Sequence, residues 1–132
     1  MSLKEYHNGA SWENWDDNFR KCNKNALDDF IKINRSQIDS HMFRQFIFYK
    51  QWNSLKEYAN TNDVSIIGDI PIFVAYDSAD AWSHPELFYF NDDLKPTVVA
   101  GVPLDYFSKT GQLWGNPLYR WEIHHKTRYE WW

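Results

Sequence analysis

The run VSIIGD, residues 64–69, limits the fold more than any other stretch of this chain. Val64, Ile66 and Ile67 form a short, nearly continuous β-branched segment. That is the pattern of a strand buried on both faces of a parallel sheet, not of an alternating antiparallel one. A carboxylate, Asp69, stands at its C-terminal end, and the strongest helix signal in the chain comes just before it. Helix, tight turn, buried strand and a polar residue at the strand's end make the αβ half of an α/β repeat, and in such folds chemistry is done at the carboxyl ends of strands. Asp69 and the residues shortly after it therefore fall on the functional face; on spacing alone, capping of a turn before Pro71 is the other reading of Asp69. A buried strand also needs parallel neighbours for its backbone donors and acceptors, and no second segment reads as one. The expected fold class is α/β, and residues 1–132 are read as a single segment, an internal piece of a larger α/β protein.

The helix before the strand spans about residues 36–60. Ile38, Met42, Phe46, Tyr49 and Trp52 trace successive turns, and Phe43, Ile47 and Phe48 widen the apolar stripe well past a third of the circumference. Such a helix expects cover on more than one side. Residues 12–35 are expected to be helical in pieces, with Trp12, Trp15 and Phe19 in one cluster and Ala26, Leu27, Phe30, Ile31 and Ile33 in another, and with Ser11 or Asn23 as caps. Residues 1–11 are given no structural weight and are taken as a tail or a cloning remnant.

After Asp69 no long helix is expected for about fifty residues, an excursion of a length that is usually functional. Within it, residues 87–91 and 97–100 read as a small hairpin around NDDLKP, with Asp92 and Asp93 in its turn. Asp77 and Asp80 read as cap and first-turn charge of a short helix around AWSHPELF, and a last helix is expected over residues 118–132. Between them lies GVPLDYFSKTGQLWGNPLY, residues 101–119. With two prolines and three glycines among Tyr106, Phe107, Leu113, Trp114 and Tyr119, it sustains neither a helical nor a two-residue period.

Composition bears on what those rings are for. Aromatic residues make up 19% of the chain, eight of them tryptophans, while a mean hydropathy of −0.69 argues that not all of them fill a core. Some should lie at a site, although burial is the commoner fate of a tryptophan such as Trp114. The net charge of −4 and the absence of any long Lys/Arg run argue against nucleic acid as a partner. No apolar run is long enough to span a bilayer, the first residues lack the hydrophobic stretch of a signal peptide, and a single cysteine, Cys22, suits a reducing cytoplasm. His124 and His125 are adjacent, so they point to different sides of a helix; no metal and no cofactor are expected.

The strings IIGDIPIFVAYDSADAWSHPELF and PTVVAGVPLDYFSKTGQLWGNPLYRW, with GASWENW and FIFYKQWNSLKEYAN before them, resemble the 4-alpha-glucanotransferases of glycoside hydrolase family 77, the amylomaltases or disproportionating enzymes. The resemblance covers almost the whole chain. It implies a fragment of a much longer (β/α)8 TIM barrel. It further implies transfer of α-1,4-glucan segments between maltodextrins with retention, through a covalent intermediate on an aspartate, with a glutamate as acid/base. In the family the nucleophile lies in a stretch like RIDHFRG. No such stretch occurs here, so both catalytic carboxylates are expected outside the chain, which alone should be inactive. What the resemblance carries onto this sequence is glucan contact. Tyr106 and Phe107 would sit near the acceptor, Gln112, Trp114 and Asn116 beside the scissile bond, Asp105 would accept a hydroxyl, and Asp69 would support the catalytic centre. A non-catalytic carbohydrate-binding module or a truncated product is the alternative, and self-association through the long helix is expected of the isolated chain.

Overall fold

The computed structural model describes residues 1–132. The chain divides into two compact units, Met1–Ile70 and Pro71–Trp132. Order along the chain is α1 (Ser2–Tyr6), a 3-10 turn (Trp12–Asn14), α2 (Asp17–Arg20), α3 (Lys24–Ile33), α4 (Arg35–Thr61), α5 (Ala79–Ser83), a 3-10 turn (Pro85–Leu87), β1 (Val99–Val102), β2 (Gln112–Pro117) and α6 (Trp121–Lys126).

In the first unit the opening residues, expected to be a tail, are packed. Ser2 is buried, and the Tyr6 ring meets Phe19 and Phe30 edge-on at 5.9 and 5.4 Å. His7 stacks on Trp15 at 4.9 Å, and the Trp15 indole N–H donates to the Ala10 carbonyl at 3.0 Å. The helical pieces start where short polar side chains can take up free backbone donors. Asp16 accepts from the Asn18 N–H at 3.1 Å to open α2, and Asn23 accepts from the Ala26 N–H at 3.2 Å to open α3. Ser11 precedes the first 3-10 turn without a capping bond from its side chain.

The long helix is present as read, one residue longer at each end. Gln37 bonds Glu5, and His41 Nε2 lies 3.3 Å from the Glu5 carboxylate, which fixes the start of α4 to α1. Its C-terminus closes in a Schellman arrangement: the Asp63 N–H donates to the Asn60 carbonyl at 3.2 Å and the Val64 N–H to the Ala59 carbonyl at 3.0 Å. Asp63 takes the left-handed position at φ 58, which aspartate tolerates better than most side chains. No residue of α4 is buried; Met42, Phe43, Phe46, Phe48, Tyr49, Trp52, Leu55 and Tyr58 all face solvent.

The strand expected over residues 64–67 is not formed. These residues are irregular and exposed, Ile67 at 94%. The physical reason is the one that made the run informative: a β-branched segment becomes a strand only when a neighbour takes its backbone bonds. The sole sheet here has two strands, β1 and β2.

The second unit carries its own core of Ala81, Leu87, Phe88, Ala100 and Tyr119. Residues 87–90 run between two edges. The Tyr89 N–H donates to the Leu118 carbonyl at 3.1 Å and the Arg120 N–H to the Leu87 carbonyl at 2.8 Å, while the Thr97 N–H donates to the Tyr89 carbonyl at 2.9 Å. The small hairpin thus exists at Phe90 and Pro96, but residues 99 onward leave it to pair with β2. Its turn is organised by Asn91, whose carboxamide oxygen accepts from the Asp93 and Lys95 N–H groups at 3.1 and 2.9 Å. Ser78, between the two aspartates expected to serve α5, supplies the cap by accepting from the Ala81 N–H at 3.1 Å. Asp80 stands in the first turn of α5, as expected, and also accepts the Trp131 indole N–H at 3.2 Å. The last helix is shorter than expected, ending at Lys126.

Candidate functional site

Residues 101–119 are more regular than their punctuation suggests. β1 and β2 form an antiparallel hairpin with Val102 opposite Gln112, Gly101 opposite Leu113 and Val99 opposite Pro117. Two steps along β1 therefore match four along β2, a bulge that falls at Trp114–Asn116. Gly115 occupies it at φ +78, where an L-residue would be strained. Gly111 closes the other end at φ +74, so near the facing strand that a Cβ would lie 2.5 Å from the Val102 carbonyl oxygen. The glycines that argued against a period are the residues that let the hairpin form.

The tip, residues 103–111, presents Tyr106 and Phe107, 97% and 90% exposed. Their rings meet edge-on at 5.6 Å. Beneath them Asp105 Oδ1 accepts from the Phe107 N–H at 2.9 Å and the Ser108 N–H at 2.8 Å, while the Asp105 N–H donates to the Ser108 carbonyl at 2.9 Å. Ser108 Oγ then donates to the Gly111 carbonyl at 2.8 Å.

Down the hairpin, Gln112 and Trp114 are brought together, while Asn116 reaches residue 74. The Trp114 indole N–H donates to Gln112 Oε1 at 3.1 Å. The Trp114 ring, 48% exposed, leans on Phe73 at 6.2 Å. Asn116 Nδ2 donates to the Val74 carbonyl at 2.9 Å, which ties residues 73–74 to β2. One Trp114 face is thus supported and the rest is open.

Support comes from Tyr119, the centre of the unit. Its ring, 2% exposed, stacks on Phe73 at 6.4 Å and meets Phe88 at 5.3 Å, Trp121 at 5.3 Å, Trp131 at 5.6 Å and Trp132 at 5.2 Å. Burial, with the Asp80 carboxylate adding to it, pushes the Tyr119 phenol above its ordinary range. His124, fully buried, sits 5.5 Å from the same ring with Nε2 3.3 Å from the Leu87 carbonyl; it is a core side chain.

Asp69 belongs to the first unit and the other six predicted residues to the second. Asp69 is exposed on the irregular stretch after α4. Phe73 and Val74, which hold Trp114 and Asn116, were missed as site residues. Nothing in the spacing of IPIFVAY marks them, because their role is a contact made across forty residues of sequence.

The model of the 4-alpha-glucanotransferase family, glycoside hydrolase family 77, matches residues 1–132. The chain belongs to that family. It is 48% identical over its full length to the 4-alpha-glucanotransferase of Aquifex aeolicus strain VF5, of which it covers 27%, and 46% identical to that of Thermus thermophilus, of which it covers 26%. Among solved structures, amylomaltase from Streptococcus agalactiae in complex with acarbose matches all of this chain with a TM-score of 0.92 at 43% identity, over 27% of the amylomaltase chain. The chain therefore spans about a quarter of the length of the relatives it matches, as a mixed helix and strand piece with a two-stranded sheet. No helix in it is long and apolar enough to cross a membrane.

Proposed function

We propose that this chain is a glucan-contacting segment of a retaining 4-alpha-glucanotransferase, one that moves α-1,4-glucan segments between maltodextrins. The observation that carries this reading is the bracketed tip. Two nearly fully exposed rings stand on a hydrogen-bonded loop of the same hairpin that carries a half-open tryptophan, in a chain that matches the family over its whole length. Glucose has flat apolar C–H faces and a hydroxylated rim, so rings for stacking with amides nearby form a suitable surface. Tyr106 and Phe107 stack against sugars on the acceptor side, Trp114 lies beside the scissile bond, and Gln112 and Asn116 hold its surroundings. Asp69 supports the catalytic centre without being the nucleophile. The nucleophile and acid/base lie outside these residues, since the chain holds no RIDHFRG-like stretch.

In the parent protein this segment is part of a (β/α)8 barrel: residues 64–67 become a strand once neighbours take their backbone bonds, and the rest of the barrel covers α4. Two observations support this, the exposure of the β-branched run and the ring of solvent-facing aromatics around α4. Alone, the chain self-associates through α4 at high concentration. A reducing cytoplasm is the proposed location, in keeping with the single cysteine, Cys22.

The test is incubation of the purified chain with maltotriose, with products separated by size, beside a fluorescence titration with maltoheptaose. The expected result is no glucose or longer maltodextrin, and quenching that disappears in Trp114→Phe. Transfer products from the chain alone would overturn the placement of the catalytic carboxylates; absence of any quenching would overturn glucan contact.

A further inference from the structure

The side chains at the tip of the hairpin divide by what their atoms already do. Tyr106 and Phe107 touch little besides each other. Asp105, between β1 and these rings, is bonded to the backbone through one oxygen: Oδ1 takes both the Phe107 and the Ser108 N–H, and the Asp105 N–H closes the turn onto the Ser108 carbonyl. A two-residue aromatic tip has no core to hold it, and free rotation about its backbone would let each ring sweep a wide volume. Two hydrogen bonds from consecutive amides to one oxygen remove that freedom.

From this geometry we infer that Asp105 is a positioning residue, which sets the direction of Tyr106 and Phe107 by bracketing their backbone and does not itself serve a glucan hydroxyl. The inference rests on the reading of the tip as glucan-contacting, and it changes the role of Asp105 within it. The bracket needs an acceptor oxygen at Oδ1 and does not need a negative charge. A carboxylate bonded to a sugar hydroxyl would use the charge, and its amide replacement would bind more weakly.

The experiment uses the full 132-residue chain in three forms, unchanged, Asp105→Asn and Asp105→Ala. Amide hydrogen exchange is read at Phe107 and Ser108, the nuclear Overhauser contact between the Tyr106 and Phe107 rings is recorded, and maltoheptaose is titrated against the ring resonances. Asn keeps the acceptor, so exchange within about threefold of the parent, the ring contact and an affinity within about twofold are expected; in Ala, exchange rises about tenfold or more, the ring contact is lost and affinity falls about tenfold. Loss of affinity in Asn with exchange and ring contact unchanged would overturn the inference, because the charge would then be acting on the sugar. Ala exchange equal to the parent would overturn it as well. If maltoheptaose leaves the parent rings unmoved while the exchange pattern appears as expected, glucan contact fails and the positioning role of Asp105 stands.

Discussion

Helix α4 and the Tyr119 cluster are both rich in large aromatic side chains, and they end in opposite states. Along α4 the rings of Phe43, Phe46, Phe48, Tyr49, Trp52 and Tyr58 face water. Around Tyr119, five rings and one imidazole enclose a phenol with almost no exposure. Composition does not separate them; the presence of partners within the same unit does. Phe73, Phe88, Trp121, Trp131 and Trp132 lie on a bend, an isolated bridge, a short helix and the turn after it, all within the same unit as Tyr119. In its unit α4 packs against α1 and α3, and Gln37 and His41 near its start bond Glu5 of α1. Exposed apolar surface of that extent is the mark of an interaction site, which is why cover by the rest of the barrel is proposed for it.

Truncation should break the symmetry of the two regions most sharply. Tyr119→Ala is expected to lower stability by about 3–5 kcal/mol in denaturant titration, the range for removing a large buried ring. Phe46→Ala on α4 should shift it by less than about 0.5 kcal/mol, as for other exposed positions. Equal losses would mean that α4 is covered in solution by another copy of the chain. Sedimentation of Phe46→Glu at high concentration sharpens this, since a drop in association relative to the parent is expected only if α4 is the contact.

Within the second unit the hairpin should be more sensitive than its exposure implies. Gly111→Ala adds a carbon 2.5 Å from the Val102 carbonyl at a left-handed φ, with an expected loss of about 1–3 kcal/mol and faster exchange across the β1 and β2 ladder. Asn116→Ala frees the Val74 carbonyl, at about 1 kcal/mol, and should loosen Phe73 against Trp114 in ring contacts seen by nuclear magnetic resonance.

Two pH effects complete the contrast. The Tyr119 phenol holds its proton above its ordinary value of 10.0 because it is buried. The stability this supplies is complete below pH 10.0 and is lost as pH rises through the folded value. A fall in unfolding temperature above that pH, absent in Tyr119→Phe, is the check. Smaller still, hydrogen bonds from Lys21 and then Arg20 hold the exposed Asp17 carboxyl down at about 2 instead of 3.8. Its contribution is present above pH 3.8 and is lost as pH falls through about 2, and added salt should move its titration back toward the ordinary value.

The physics of each stretch explains how much of this was legible in sequence. The extent of α4 was readable because a 3.6-residue pattern over many turns outweighs its weak capping, and Asn23 was readable as a cap because the rule is local. The strand at residues 64–67 was readable as a strand pattern and yet does not form, since pairing is a property of partners and not of the segment. In the opposite direction, β2 was hidden behind Gly111 and Gly115, which look like breakers until a bulge is known to need them. Composition left the rings of residues 101–119 unassigned between core and site, and they divide: Tyr106 and Phe107 are exposed while Tyr119 is the centre of the core, and the bonds of Asp105 to Phe107 and Ser108 became visible only in the structure.

Residue-by-residue mapping of maltoheptaose on the isotope-labelled chain tests the central claim most directly. The account predicts shifts concentrated at Tyr106, Phe107 and Trp114, with smaller ones at Gln112, and none along α4. Shifts centred on Phe46, Tyr49 and Trp52, with the hairpin silent, would contradict it.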